Sequence, residues 1–368
     1  MNSFDTEAAA GPTGPAGLTG PMTQTGSRRG FLSGAAVAGL AAAATLPATY
    51  ANAQTTRPSS SLEVIGQAHW AIKRVAGQEV KLFLWRKHLR DASAAPKRGT
   101  LVFVHGSSVS STPVFDLQIA GRPESSTMDW FARLGYDTWC FDCEGYGKSD
   151  KSRVMNANIA DGAADLAVVS EAIMKFNGGA KLLMYGSSSG ALRAALFAQQ
   201  HPERVARLAL DAMVWTGEGS PTLAERKKRL PQFLASHRRP IDREMIRSIF
   251  TRDHPGTSDQ TIVEAFADAV LALDTSVPTG TYNDMSANLP VCDPTQITSP
   301  TLIMRGQYDG IASFQDLTNF FAKLACADKQ FMVMPGIAHT STRSKNFALV
   351  YHLLEGFFGQ PAPVYTGA

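Results

Sequence analysis

Five residues, Gly186-Ser187-Ser188-Ser189-Gly190, constrain this chain more than any other stretch. They follow the apolar run Lys181-Leu182-Leu183-Met184-Tyr185 and precede Ala191 to Gln200, a run of good helix formers. A sharp strand-to-helix turn packs only when the residues two before and two after its central position are small. The two glycines therefore single out Ser188, among three serines, as a nucleophile held on such an elbow. Gly/Ser clusters also make ordinary flexible turns. Here the strand pattern before and the helix pattern after select the elbow.

Further segments fall in a matching order. Thr100-Leu101-Val102-Phe103-Val104 reads as a buried strand ending in His105-Gly106-Ser107-Ser108. Asp142, Gly145, Gly147 and Ser149 follow the next strand pattern. Thr301-Leu302-Ile303-Met304 is another apolar strand, and Arg305-Gly306-Gln307-Tyr308-Asp309 leaves its C-terminal end. Gln330 to Met334 then runs through Pro335-Gly336-Ile337-Ala338 into His339. Serine, then aspartate, then histidine is the chain order that accompanies a nucleophile on a strand–helix elbow. With these ordered motifs the chain resembles the α/β-hydrolase superfamily from about residue 62 to residue 358.

The resemblance implies an α/β fold: a mostly parallel central sheet with helices on both faces and an inserted helical cap. It implies a catalytic triad of Ser188, Asp309 and His339, and an oxyanion hole made by the backbone N–H groups of Ser189 and Ser107. A serine hydroxyl is a weak nucleophile at neutral pH, so His339 must take its proton while Asp309 fixes the imidazole. Asp211, at the end of the strand pattern Leu208-Ala209-Leu210, is the rival acid, disfavoured by the order of motifs. Asp316 reads as a solvated or helix-capping residue, His105 as structural, His201 as a surface residue, and Asp142 as a residue that shapes its loop.

The spacing of patterns predicts strands near 101–104, 137–141, 181–185, 207–211, 301–304 and 330–334, and helices near 161–175, 189–200, 314–326 and 344–357. Residues 63 to 90 read as an antiparallel hairpin turning at Gly77. Such alternation predicts a parallel sheet covered on both faces. The strand rhythm stops between Trp215 and about Leu289, giving a division into core (54–214), cap (215–289) and core again (290–368). The first half of the cap is basic, with Arg226, Lys227, Lys228, Arg229, Arg238, Arg239, Arg243, Arg247 and Arg252. This reads as a solvated helical face, with steering of an anionic substrate as the sharper alternative. Phe115, Trp215 and Tyr308 follow strand ends and are candidate substrate-lining residues. Arg343 either meets a substrate carboxylate or caps a helix.

Residues 1–53 read as a leader. Ser27-Arg28-Arg29-Gly30-Phe31-Leu32 resembles a twin-arginine export signal, the Ala-rich run Gly34 to Leu46 is too short to span a bilayer, and Ala51-Asn52-Ala53 fits a cleavage site. The expected partners are therefore the twin-arginine export machinery and a small-molecule substrate, with no stable membrane anchor and a periplasmic or secreted destination. A net charge of +3 from 35 Lys/Arg and 32 Asp/Glu gives no reason to expect nucleic-acid binding. No metal, nucleotide or flavin motif is present, so no cofactor is expected.

Four cysteines bear on that compartment. Cys140 and Cys143 share a strand, about 10 Å apart and beyond disulfide reach. Cys292 and Cys326 are candidates for a disulfide in an oxidising compartment. The expected activity is hydrolysis of a carboxylic ester or related acyl bond in a small, partly apolar substrate. Carbon–carbon hydrolysis next to a ketone and lactone hydrolysis are the nearest alternatives, because one fold serves many reactions. A non-catalytic ligand-binding protein on the same scaffold is the remote one. Epoxide hydrolase and dehalogenase chemistry are disfavoured, since their elbows usually carry aspartate where Ser188 stands.

Overall fold

The long alternating segment at the start of the core makes the expected hairpin: β1 (Val64–Val75) pairs antiparallel with β2 (Gln78–Leu89). Its two turn residues, Ala76 and Gly77, both take positive φ, the backbone twist that suits a two-residue hairpin. The computed structural model describes residues 58, 59 and 61–365. The expected leader thus lies outside the described residues.

Beyond the hairpin, strands and helices alternate as β3 (Gly99–Val104), α1 (Ser111–Phe115), α2 (Thr127–Arg133), β4 (Tyr136–Phe141), α3 (Ile159–Met174), β5 (Leu182–Ser187), α4 (Ser189–Gln200) and β6 (Val205–Asp211). A long insertion follows: α5 (Pro221–Lys228), α6 (Leu230–Leu234), β7 (Arg238–Pro240), α7 (Arg243–Thr251), α8 (Gln260–Leu271), β8 (Ser276–Pro278) and α9 (Gly280–Asn283). The chain then resumes with β9 (Thr301–Gly306), α10 (Phe314–Lys323), β10 (Lys329–Met334) and α11 (Phe347–Phe358). Eight strands form one sheet in the order β1-β2-β4-β3-β5-β6-β9-β10, while β7 and β8 make a separate ribbon within the insertion. From β4 to β10 every neighbouring pair is parallel.

Burial on both faces explains why the central strands read as continuous apolar runs. In β3, Val102 and Val104 join one apolar cluster with residues of α3 and α4, and Leu101 and Phe103 join the other with residues of α2 and α11. Truncating a side chain such as Phe103, fully buried between Phe115 and Phe131, would cost about 3–5 kcal/mol.

At the carboxyl end of β4 the buried Asp142 shapes its loop as expected. Its Oδ1 accepts the Ser111 N–H (2.8 Å) and hydroxyl (2.6 Å), and its Oδ2 accepts the Lys148 N–H (2.9 Å). His105 is structural too: Nε2 accepts the Cys143 N–H at 3.1 Å, which requires a neutral ring. Burial, aided by the Arg193 charge, pushes its pKa down to about 3. All four cysteines are free and buried, so the pairing considered for Cys292 and Cys326 does not occur. Asp316 corrects another expectation. It is buried, and its carboxylate collects the N–H groups of Trp215 and Thr216 (2.9 and 3.0 Å), pinning the chain as it leaves β6. Among the described residues no helix is long and apolar enough to cross a membrane.

Candidate active site

Ser188 stands between β5 and α4 at φ 58° and ψ −126°, a conformation that costs a non-glycine residue about 1–3 kcal/mol. The turn is held by the Ser188 N–H donating to the Asp211 carbonyl and the Ala191 N–H donating to the Ser188 carbonyl, each at 2.9 Å. Both flanking glycines are there for closeness. A Cβ at Gly186 would lie 2.5 Å from the Gly190 carbonyl oxygen, and one at Gly190 would lie 2.1 Å from that of Val104. The backbone of β3 therefore touches the elbow directly, leaving the serine as the side chain that projects.

His339, on the loop after β10, brings Nε2 to 3.1 Å from Ser188 Oγ. Its Nδ1 lies 3.0 Å from Asp309 Oδ1, on the loop after β9. The carboxylate demands a proton on Nδ1, which leaves Nε2 free to accept the serine proton. The Ile311 N–H donates to the same Oδ1 at 2.9 Å and fixes the carboxylate. Burial pushes the Asp309 carboxyl up, but His339, the Ile311 N–H and the Arg252 charge outweigh it and hold the group below its ordinary range. Three residues from three loops thus meet in one relay.

Asp211, the rival acid, does not reach the histidine's Nδ1. Its Oδ2 accepts the Tyr185 hydroxyl at 2.5 Å and its Oδ1 accepts the Ser341 hydroxyl at 3.0 Å. It thereby ties β5 to the loop that carries His339. Burial raises its pKa to about 7, against the pull of the Tyr185 and Ser341 hydroxyls.

Ser107 and Ser189 are brought together, the Ser107 hydroxyl donating to Ser189 Oγ at 2.7 Å. The Ser107 carbonyl accepts the Tyr146 hydroxyl at 3.0 Å, which fixes that loop. Neither backbone N–H meets an acceptor among the described residues. Two free N–H donors next to the nucleophile are what a developing oxyanion needs.

A small cavity of about 80 Å³ holds Ser188 and His339 with apolar walls from Val114, Ile249 and Phe266. A larger one of about 940 Å³ lies alongside and includes Asp309, Tyr308 and Tyr282. Arg226 and Arg252, both from the insertion, border both cavities.

Of the expected lining residues, only Tyr308 is in place, stacked on His254 with ring centroids 3.9 Å apart. Phe115 is core: fully buried, it stacks on Phe103 at 5.0 Å, and its neighbour Val114 faces the cavity. A shift of one residue on a helix turns a side chain through about 100°, and the phase of a five-residue helix leaves no mark in the sequence. Trp215 also packs away from the site, donating its indole N–H to the Cys292 carbonyl (3.3 Å) beside Phe320. Arg343 takes the capping role of its two expected ones: buried, it donates to the Pro113 and Val114 carbonyls in the last turn of α1 and to the Ser125 carbonyl, at the cavity wall.

Sequence reasoning gave no role to Asp253. Its side chain is 4% exposed, and Asp253, Asp309 and His339 carry ligand-type atoms within 4.8 Å of one another, a set of the kind that can hold a metal ion. Asp309 Oδ1 and His339 Nδ1 are already engaged with each other, so an ion there would compete with the hydrogen bond that orients the base.

Sheet, elbow and relay together define an α/β-hydrolase. More narrowly, residues 95–345 match the family described as serine aminopeptidase, S33, and the chain belongs to it. A 2-hydroxy-6-oxononadienedioate/2-hydroxy-6-oxononatrienedioate hydrolase of Paraburkholderia phymatum is 31% identical over 143 residues, covering 37% of this chain and 42% of the relative. The match thus spans less than half of that relative's length. A thermophilic esterase from Thermogutta terrifontis shares the fold at 18% identity and a TM-score of 0.55, covering 78% of this chain and 97% of the other. A 2-hydroxy-6-oxo-6-phenylhexa-2,4-dienoate hydrolase from Rhodococcus sp. strain RHA1 does so at 17% identity and 0.53, covering 79% and 99%.

Proposed function

We propose that this protein is an exported serine hydrolase that cleaves a carboxylic ester or related acyl bond of a small, partly apolar substrate. The observation that carries the reading is the continuous relay from Asp309 through His339 to a serine on a strained elbow. In the first half-reaction Ser188 Oγ attacks the carbonyl carbon while His339 Nε2 takes its proton. The N–H groups of Ser107 and Ser189 stabilise the oxyanion. Collapse of the tetrahedral species expels the alcohol, which leaves with the proton from His339, and an acyl-Ser188 ester remains. Water, deprotonated by the same nitrogen, then releases the acid and restores the serine.

The test is intact-mass analysis of residues 54–368 after treatment with a fluorophosphonate. One adduct that maps to Ser188 and is missing from Ser188→Ala supports the reading. A folded protein that takes no adduct contradicts it.

A second reading, hydrolysis of a carbon–carbon bond beside a ketone, is favoured by the 31% identity to the dioate hydrolase. Comparing a vinylogous diketone with an ester of the same acyl group separates the two. The segment 215–289 is proposed as the cap over the site. Export follows from the twin-arginine resemblance, and replacing Arg28 and Arg29 by lysine should hold the protein in the cytoplasm.

A further inference from the structure

Of the seven arginines of the insertion, Arg229 donates to the Gln232 side chain at 3.1 Å, and the other six divide into two groups. Arg243 and Arg247 share the Glu264 carboxylate at 3.1 and 2.8 Å, and Arg243 also meets Asp268 at 2.5 Å. Arg238 spends its guanidinium on the Gly145 carbonyl (3.0 Å) and the Ser276 carbonyl (2.5 Å) and hydroxyl (3.0 Å). These three are structurally satisfied. Arg226, Arg239 and Arg252 are different, for they converge on the cavities beside Ser188 with little to hold.

Among the described residues the Arg226 side chain hydrogen-bonds only the Met285 sulfur, at 4.0 Å. Arg239 donates to Ser108 Oγ at 2.7 Å and reaches the Ser107 carbonyl at 3.4 Å, while its buried Nε has no acceptor. Arg252 has one distant carboxylate contact, Asp253 at 3.5 Å. The guanidiniums of Arg226 and Arg239 lie 4.2 and 4.0 Å from the Tyr282 ring centroid, so cation–π contact holds them in place. Tyr282 OH lies 3.2 Å from Ser108 Oγ, which joins the cluster to the loop carrying Ser107. Burial alone would raise the pKa of that phenol. The charges of Arg226, Arg239 and Arg252 outweigh it and pull the value down to about 6, a measure of how strongly this corner favours negative charge.

We propose that Arg226, Arg239 and Arg252 form a carboxylate subsite, so that the enzyme acts on carbonyl substrates carrying a carboxylate a few bonds from the bond it cleaves. The proposal rests on Ser188 being the nucleophile. The short separation follows from Arg226 and Arg252 bordering the same small cavity as Ser188 and His339. The charge state follows from counting. Around the subsite Arg226, Arg239 and Arg252 stand against Asp253, Asp309 being committed to His339, and against a Tyr282 phenol that packs on two of the guanidiniums and ionises above about pH 6, so that three cations against two anions leave a single positive charge. A monoanion balances that excess, whereas a phosphate dianion overshoots it. Across the larger cavity six Lys/Arg side chains stand against three carboxylates, so the surrounding field also attracts an anion, with or without an ionised Tyr282. The planar guanidinium fork matches a carboxylate in two-point contact.

The test compares mono-4-nitrophenyl glutarate with its methyl-capped, uncharged counterpart on residues 54–368. We expect the wild type to favour the anionic ester by about tenfold or more in kcat/KM, lost through KM in Arg226→Gln/Arg252→Gln, with a far smaller change on the neutral ester. Arg226→Lys should recover part of the preference. Glutarate should compete with the anionic ester better than glutaramide or inorganic phosphate. Equal use of the two esters by the wild type, or an equal loss on both in the double variant, overturns the subsite. Stronger competition by phosphate overturns the carboxylate assignment.

Two controls keep the two readings apart. Fluorophosphonate labelling of Ser188 in the double variant reports whether its elbow is still folded, and its absence in the wild type condemns the hydrolase reading. Calorimetric titration of Ser188→Ala with glutarate needs no turnover. Binding that disappears when Arg226 and Arg252 are replaced supports the subsite, and no binding overturns it.

Discussion

The carboxyl edge of the sheet and the insertion that borders it solve opposite problems. At the sheet edge the groups that hold Ser188 and its base in place are partnered: the Ser188 N–H, Asp142, Asp211 and the Asp309–His339 pair are hydrogen-bonded, and among the described residues the N–H groups of Ser107 and Ser189 are left open for a substrate oxygen. In the insertion, Arg226, Arg239 and Arg252 are short of acceptors. A bonded framework fixes geometry, as a reaction needs of its nucleophile and base, and it holds the open oxyanion donors in position. Incomplete satisfaction leaves binding capacity, which a substrate can use. The difference teaches that reaction class and substrate class reside in different parts of this molecule.

The largest expected effect lies on the sheet side. Ser188→Ala should lower kcat by about 10⁶-fold toward the best ester, because without the nucleophile the remaining groups give only weak catalysis. A loss of tenfold or less would put the chemistry elsewhere. Asp309→Asn should cost about 10⁴-fold, since the amide favours the wrong imidazole tautomer. The matched change Asp211→Asn should cost far less, because Asp211 bonds Tyr185 and Ser341 and leaves the imidazole to Asp309. If the two variants were equally inactive, the assignment of the acid would fall.

Asp211→Asn has a second, smaller signature in the pH dependence of stability. Burial raises the folded-state pKa of Asp211 from its ordinary 3.8 to about 7. The folded protein therefore keeps a proton that the unfolded chain releases. Stabilisation from this group is complete below about pH 4 and fades as pH rises through about 7. Melting curves at pH 5 and pH 8 should show the variant gaining on the wild type by about 1 kcal/mol or more at the higher pH. A gap that does not change with pH would mean that Asp211 is ionised throughout.

The two regions also differ in how legible they are. The elbow, the strand at 301–304 and the loop before His339 stand out because buried parallel strands write continuous apolar runs, and tight turns write glycine. Gly190 is the clearest case: its requirement is an oxygen 2.1 Å from where a Cβ would be, and only glycine meets it. Asp316 reads as solvated or helix-capping, since nothing local reveals that its carboxylate is claimed by residues a hundred positions away. The same holds for Phe115 and Val114, where one residue of helix phase decides between core and cavity. In the insertion the run of basic residues is obvious, but its division is not. Arg243 and Arg226 look alike in one dimension; only the fold shows that α7 and α8 bring Glu264 to the first, while among the described residues no carboxylate is bonded to the second.

That division supplies the smallest predicted effect and the sharpest control. Arg243→Ser/Arg247→Ser removes two positive charges from the same basic run, yet from guanidiniums already neutralised at the surface by Glu264 and Asp268. Exposed pairs of this kind contribute little and are screened by salt, so kcat/KM for the anionic and the neutral ester should each stay within about twofold of wild type. If this variant instead lost the preference for the anionic ester as fully as Arg226→Gln/Arg252→Gln, attraction would be the work of the whole basic face acting at a distance. Raising the ionic strength would then abolish the preference in the wild type as well. A preference that survives high salt, and that depends on the two inward arginines alone, requires direct contact between guanidinium and carboxylate beside Ser188.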